Sequence, residues 1–495
     1  MNQERFNFFV YTQSKKKVRE KLASGDIDYG SLSEMGFVDE FFAFVLATDF
    51  FPFAEDTYPS PRAKTEVPPW FLLASLIAAK MYGEESFLNI PYVLKNGSIL
   101  KMLGFNLGTM PGFNDKNKKE RIYPVNQDTI RKFFKDTEPD KLTRWFNHDF
   151  SSWMGQKRAY KSGLFIEDAS YVPLPGNPNY ENADYIWLDE DGNHADSDAP
   201  GARPTQCYKF SSLLNTDREG SYYIYAGARI DPGSVNGLDE GIDLVEGFVK
   251  NGGYIDTLLA DRGYIDGPSL SHYKRHLRIN WVIPLKKSMA AYDDVVGLCR
   301  AKDVDWKTYH LEQDDNGFVA RKEEVTSFFN IKTWDNLSVD LHVSVKRETN
   351  YTTGKISYFV LGMSKRYKYP GQAFDLYKKR TCIEERHRQL KGFWDLAKFS
   401  SPAFSLVVTQ IIFKLVSYSL MQLYLARSDM AKLARKTIST IVKKEKVGEC
   451  AVILYSGSNY GVFDLDEYSC ILLGLEDDHK RRLTKRIKTW NKGPP

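Results

Sequence analysis

The sequence has no CxxC pair. Its five cysteines (Cys207, Cys299, Cys382, Cys450 and Cys470) are scattered and odd in number, and its eight histidines show no zinc-ligand spacing. Zinc fingers and a disulfide framework are excluded on that ground, and a reducing cytoplasm is the expected compartment. Residues Met1 to Arg19 are polar and basic, without the apolar core of a secretory signal. Long hydrophobic runs are scarce. Pro69 to Ala79 is too short to span a bilayer, and Leu406 to Leu425 contains Gln410, Lys414 and Gln422, so it reads as the buried helix of a soluble protein. Internal repeats and low-complexity tracts are also missing. Charge of one sign is not in excess either, since the net is +4 over 495 residues. That balance does not by itself imply nucleic acid, but its distribution makes a polyanion partner plausible. Lys480 to Pro495 holds seven cations and no acid, and further basic clusters lie at Lys15–Lys21 and Arg435–Lys446.

A chain of this length can hold two to four domains. Residues 1–157 read as mostly helical, with candidates at Gln13–Leu22, Phe37–Thr48, Pro69–Tyr82, Gly97–Leu103, Asp128–Phe134 and Pro139–Phe150. Asn126 or Asp128 can cap the fifth of these, with Ile130, Phe133 and Phe134 turned inward and Arg131 and Lys132 outward. That pattern is compatible with a helix-turn-helix module contacting DNA through Arg131 and Lys132.

From Lys161 the texture changes to strands. Leu164-Phe165-Ile166 leads to Asp168, which is expected where the strand leaves the sheet. Pro173 to Pro204 reads as a mobile loop whose Glu181–Asp198 part holds seven acids. Asp189-Glu190-Asp191-Gly192-Asn193 within it lacks the ligand spacing of a calcium loop. Cys207–Asn215 and Ser221–Ile230 form a hairpin. Leu238, Ile242, Val245 and Val249 share one face of a helix. Tyr254–Ala260 is a strand that delivers Asp261, and a helix near Ser269–His276 precedes a fifth strand, Ile279–Leu285. A β-rich insertion, 286–369, follows. In it Val339, Leu341, Val343 and Val345 alternate with polar residues and pair with Ile356–Gly362.

Phe374 to Gly392 then reads as one continuous helix. At about 100° per residue, Tyr377, Arg380, Glu384 and Lys391 share a stripe roughly 60° wide, and Glu385 falls off it. One acid flanked by two cations and a phenol suits a surface that holds a metal ion and phosphates together. Two Asp at the ends of separate strands, 93 residues apart, supply the further carboxylates that two-metal chemistry on phosphodiesters requires.

These residues together resemble the DDE transposases of bacterial insertion sequences. The branch concerned carries the signature Tyr-x2-Arg-x3-Glu-x6-Lys, here Tyr377, Arg380, Glu384 and Lys391 with every spacing kept. Asp168 in IEDAS and Asp261 in ADRGY match the family's two aspartates. The resemblance covers roughly 160–430 and implies a mixed α/β, ribonuclease H-like sheet flanked by helices. That catalytic domain would occupy 158–285 and 370–430, interrupted by the β-rich insertion 286–369. A helical DNA-binding domain, 1–157, would precede it, and a basic helical region, 431–495, would follow for DNA contact or dimerisation. The implied activity is cut-and-paste transposition. Asp168, Asp261 and Glu384 would ligate two Mg²⁺ ions (Mn²⁺ substituting), while Tyr377, Arg380 and Lys391 grip phosphates. The implied partners are double-stranded DNA, as terminal inverted repeats and target, and a second copy of the chain in a cytoplasmic, nucleoid-associated complex. An insertion aromatic, among Trp306, Trp334, Tyr358 and Phe359, would stack on a flipped base. Two rivals remain: a catalytically inactive, domesticated DNA-binding relative, and an unrelated two-carboxylate glycosidase, which would leave Arg380, Lys391 and the basic tail unused.

Overall fold

The computed structural model describes residues 12–33, 36–63, 67–94, 99–103, 124–176, 179–220, 222–314, 317–381, 383–384, 390, 394–428, 430–434 and 451–489. Two compact units share the chain. One contains Met1–Trp145, Pro178–Glu181 and Gln389–Pro495, and the other Phe146–Asn177 and Asn182–Arg388.

The first unit is built around one helix, Phe404–Arg427, of which Leu406 to Leu425 is buried throughout. By length and composition it could cross a membrane, but 89% of its apolar window is buried inside the protein, as in a core helix. Its Phe413 ring meets Tyr58, Phe134 and Trp145, and these edge and stacked contacts tie it to the shorter helices packed around it. Two of the polar residues of this helix, Gln410 and Lys414, converge on one acid. Lys414 Nζ lies 3.1 Å from Glu85 Oε1 and donates to the Asp395 carbonyl at 2.6 Å, while Gln410 Nε2 donates to Glu85 Oε2 at 3.1 Å. Lys80 pairs with the same Glu85.

Helix Gln127–Asp136 takes Asn126, not Asp128, as its cap: the Asn126 side chain accepts from the Asp128 backbone N–H. Ile130, Phe133 and Phe134 are buried, and Arg131 and Lys132 are exposed. The expectation of helical ends to the chain needs a strand component added. Thr12–Gln13, Tyr29–Ser33, Ala451–Ser456 and Asn459–Asp464 make a four-stranded sheet drawn from both ends. Gly457, at φ +55°, turns the last two strands into a hairpin. Val18, Leu22, Val452, Leu454, Phe463 and Leu483 form its core. Much of the basic charge here is internally paired. Lys15 and Arg19 face Glu467, Lys21 faces Asp26, and Arg486 faces Asp26 and Asp28. The Arg435–Lys446 cluster lies outside the described residues.

The second unit is a mixed sheet of ten strands flanked by helices. In chain order these are β1 (Leu164–Pro173), β2 (Asp184–Leu188), β3 (Arg203–Thr216), β4 (Tyr223–Pro232), β5 (Thr257–Leu259), β6 (Asn280–Pro284), β7 (Lys307–Gln313), β8 (Val319–Ile331), β9 (Leu341–Asn350) and β10 (Ile356–Met363). They lie side by side as β2-β3-β1-β5-β6-β10-β9-β8-β7, with β4 also paired to β3. Strands β1, β5 and β6 are mutually parallel, and the other pairs are antiparallel. The helices between them, α1 (Gly237–Lys250) and α2 (Gly267–Arg275), supply the crossovers that parallel neighbours require. A third helix, α3 (Ala290–Leu298), follows β6, and a fourth, α4 (Gly371–Tyr377), follows β10. This order agrees with the ribonuclease H-like expectation.

Four readings change. The acidic stretch is not merely a loop: Asp184–Leu188 adds β2 to the sheet, because its alternating Tyr185, Ile186 and Trp187 can pair with β3. The β-rich insertion is continuous with the main sheet, since Leu361, Gly362 and Met363 of β10 pair with Pro284, Ile283 and Val282 of β6. On α1 the buried face runs through Gly241, Leu244, Val245 and Phe248, with Leu238, Ile242 and Val249 only partly covered. The rotation follows from Gly241, where a Cβ would overlap the Glu167 carboxyl and the Tyr264 ring. Finally, the strand at Tyr254–Ala260 shrinks to Thr257–Leu259, leaving Tyr254 exposed.

Candidate active site

Asp168 is not at a strand end. Strand β1 runs five residues past it to Pro173, held by β3, with Asp168 opposite Ser212. On the other side, pairing to β5 stops at Ile166–Leu259. Asp168 therefore stands on the open edge just past the parallel ladder, and β5 ends beside it. Two residues beyond Leu259 comes Asp261, which caps the tight turn Arg262–Tyr264 by accepting the Gly263 N–H at 2.6 Å. The two aspartates emerge at the same end of adjacent parallel strands.

The third element departs from the expected continuous helix. Helix α4 closes at Tyr377, and the Lys379, Arg380 and Ile383 amides bond back to the Leu376, Tyr377 and Arg380 carbonyls, an i to i−3 pattern. The chain tightens by one turn there, yet the i,i+4 relation survives: Arg380 Nη1 donates to Glu384 Oε1 at 2.6 Å. The other guanidinium nitrogen, Nη2, lies 3.2 Å from Asp168 Oδ1 and 3.4 Å from Asp261 Oδ2. One cation thus joins the three acids singled out in the sequence, across 212 and 119 residues of chain. The Arg380 side chain is only 14% exposed, whereas Glu384 is 59% exposed.

Tyr377 packs on Phe359, and the Arg262 guanidinium lies over that ring at 5.8 Å. Among the insertion aromatics, Phe359 is the one against the site. Trp306 lies under Arg347, Trp334 packs on Trp281, and the Tyr358 carbonyl accepts from Tyr292. Lys391 lies outside the described residues, as does Glu385. Arg131 and Lys132 belong to the other unit.

Electrostatics set this cluster apart. Burial pushes the Asp168 carboxyl up to about 7; Arg380 opposes the rise, and the charges of Asp261 and Glu384 reinforce it. Its neighbour Glu167, on the opposite face of β1, is pushed to about 8 by burial and then by Asp261 and Asp168. Sequence reasoning missed Glu167. The alternation that sends Asp168 to one face sends Glu167 to the helix-covered face with Phe165, and that signal was available. Its Oε1 and the Tyr264 hydroxyl are buried without a hydrogen-bond partner among the described residues. A folded-state value of about 8, above the unfolded 4.5, means the folded protein holds this proton and loses stability as pH rises through about 8. Glu167→Gln should therefore melt like its parent near pH 4, where folded and unfolded chains both hold the proton, and higher than it at pH 8. A variant melting lower at both pH values would show that the carboxyl makes a bond the amide cannot replace.

The family model described as the transposase DDE domain matches residues 161–420. The chain belongs to the DDE transposase family. A search of the curated proteins found no match to it. Membership makes DNA the substrate and divalent metal ions the family's general cofactors. The donor set fits such an ion: three hard carboxylates from three elements, held together by a cation that occupies the place where positive charge is needed. In this arrangement the guanidinium, rather than direct approach of the acids, joins them, and among the described residues no three acids or histidines are grouped closely enough to hold a metal ion.

Proposed function

We propose that this transposase moves its own element by cut-and-paste DNA transposition, with Asp168, Asp261 and Glu384 as the metal-binding acids. The observation that supports this most directly is the three-way ion pairing of Arg380 with those residues. Two Mg²⁺ ions, or Mn²⁺ in their place, would supply activation of a water or 3′-hydroxyl and stabilisation of the departing oxygen. To serve as a ligand Asp168 would have to give up its proton, which its buried, repulsive surroundings oppose and the positive charge of an ion would favour. Arg380, released from the acids, would turn its fork to a phosphate of the cleaved strand, and Lys391 of the signature would add the point charge of its ammonium group. Tyr377, fixed against Phe359, orients the strand end and helps to exclude water.

The helical region 1–157, with Arg131 and Lys132 exposed on one capped helix, would read the terminal inverted repeats, and the basic region 431–495 would add backbone contacts or dimerise the complex. The test is cleavage of DNA carrying the inverted repeats that flank this gene. Mg²⁺-dependent breaks at the repeat ends, abolished by EDTA, are expected. Binding without any cleavage would favour the inactive DNA-binding alternative. The register is tested on the same substrate: Glu384→Gln should be inactive and Glu385→Gln active, and the opposite result would place the third acid one residue on.

A further inference from the structure

The cavity between the end of α2 and the β8–β9 loop, about 520 Å³ in volume, is lined by Lys274, Arg275, Lys332, Trp334, Asp340 and His342. It lies at the opposite end of the sheet from the acids. Asn280 opens β6 beside Thr257, at the start of β5, whereas Asp261 follows the end of β5. About four residues of strand, roughly 13 Å, separate the two levels.

We propose that this cavity is a second DNA-binding site, which takes phosphates of duplex DNA away from the bond being cleaved. The identity of the anion rests on the transposase reading. The charges come from separate elements and are held in place. Lys274 Nζ donates to Asn280 Oδ1 at 2.6 Å, and the Arg275 guanidinium is bonded to the Ser338 carbonyl. The loop bearing Ser338 is pinned by its own N–H to Ser271 Oγ at 2.9 Å. Arg366, anchored on Asn330 at 3.2 Å and stacked over Phe329, adds a further cation near His342. Lysine and arginine in the last turn of α2 also offset that helix's dipole. Lys332 and Arg366 are on other elements, so the dipole does not account for them.

Against these four cations stands one carboxylate, Asp340, which Lys332 contacts at 3.1 Å. The surplus is felt at His342. Burial lowers its pKa first, and Arg366, Lys274 and Lys332 lower it further, while Asp340 raises it. His342 Nδ1 accepts the Asn330 N–H, so the neutral ring carries its proton on Nε2, as a donor. A chain of phosphates supplies the missing negative charge and accepts from these donors. The lining is charged and polar, which suits a backbone and gives no base-specific pairing.

The experiment is a salt titration of binding to a random-sequence duplex by the full chain. Each lost phosphate contact should lower the slope of log affinity against log salt by about 0.9. Lys332→Gln, whose side chain is 74% exposed, should lower it by about one unit. Lys274→Gln with Lys332→Gln should lower it by about two. Lys250→Gln, an equally exposed cation on α1, should leave it unchanged. Parental slopes in both cavity variants would overturn the proposal while leaving the transposase reading intact. Failure of the parent itself to bind duplex DNA would overturn both. A reduced slope in the cavity variants, combined with normal repeat-end cleavage by Asp261→Asn, would uphold the cavity and reject the acid triad.

Discussion

Asp261→Asn is expected to reduce metal-dependent cleavage of the repeat ends by about a thousandfold or more, while DNA affinity changes little. Metal coordination supplies several kcal/mol to such displacements, and each 1.36 kcal/mol is a factor of ten. Asparagine is chosen because the carbonyl of its side chain can still accept the Gly263 N–H that closes the turn, so the local fold is kept and only the charge is lost. Asp168→Asn should be equally inactive, with a second signature. The folded-state value of about 7 lies above the unfolded 3.8, so the parent binds more protons folded than unfolded across that interval, and its stability falls as pH rises through about 7. The amide removes that loss. Without metal, Asp168→Asn should melt higher than its parent at pH 7 and close to it only below about pH 4, although it cannot cleave. Normal cleavage by either variant would remove that residue from the site.

Glu85→Ala is expected to destabilise the first unit by about 3–5 kcal/mol, the range for stranding a buried charge. The Lys80 and Lys414 side chains are 1% and 0% exposed, and both depend on this carboxylate. Burial lowers the Lys414 pKa to about 7, helped by Lys80 and opposed by Glu85. For a lysine lowered in this way the unfolded chain binds more protons than the folded one between about 7 and 10.5, so stability rises with pH across that window. Glu85→Ala should therefore be less stable at pH 6 than at pH 9, because the carboxylate that favours the charged form of Lys414 is gone. Adding Lys414→Met should recover much of the loss, because an apolar side chain of similar length needs no counter-charge. Thermal melts of the single and double variants at pH 6 and pH 9 provide the check. Equal stability of Glu85→Ala and its parent at pH 6 would show that water or backbone already satisfies the two lysines.

The readable features were local ones. The apolar strand that carries Asp168, the strand that delivers Asp261, the helix capped by Asn126, and the signature of Tyr377, Arg380 and Glu384 all depend on residues a few positions apart. The polar residues inside Leu406–Leu425 also signalled a buried helix rather than a membrane span, and Gln410 and Lys414 turn out to meet Glu85. Glu85 itself was not legible as their partner, because the acid lies more than three hundred residues earlier in the chain.

The sequence alone determined which side chains carry charge and which face of each strand they take, since alternation and helical spacing are properties of the chain itself. That suffices to put Asp168 and Glu167 on opposite faces of β1. Only the tertiary structure decided what those faces meet. It covered Glu167 with α1 at Gly241, extended the sheet from β6 into β10, and tightened the chain after Tyr377 so that Arg380 reaches Asp168 and Asp261 as well as Glu384. Each of these depends on pairing between segments far apart in sequence. Such pairings are selected by the burial and hydrogen bonding of the whole sheet, which no local stretch of residues encodes.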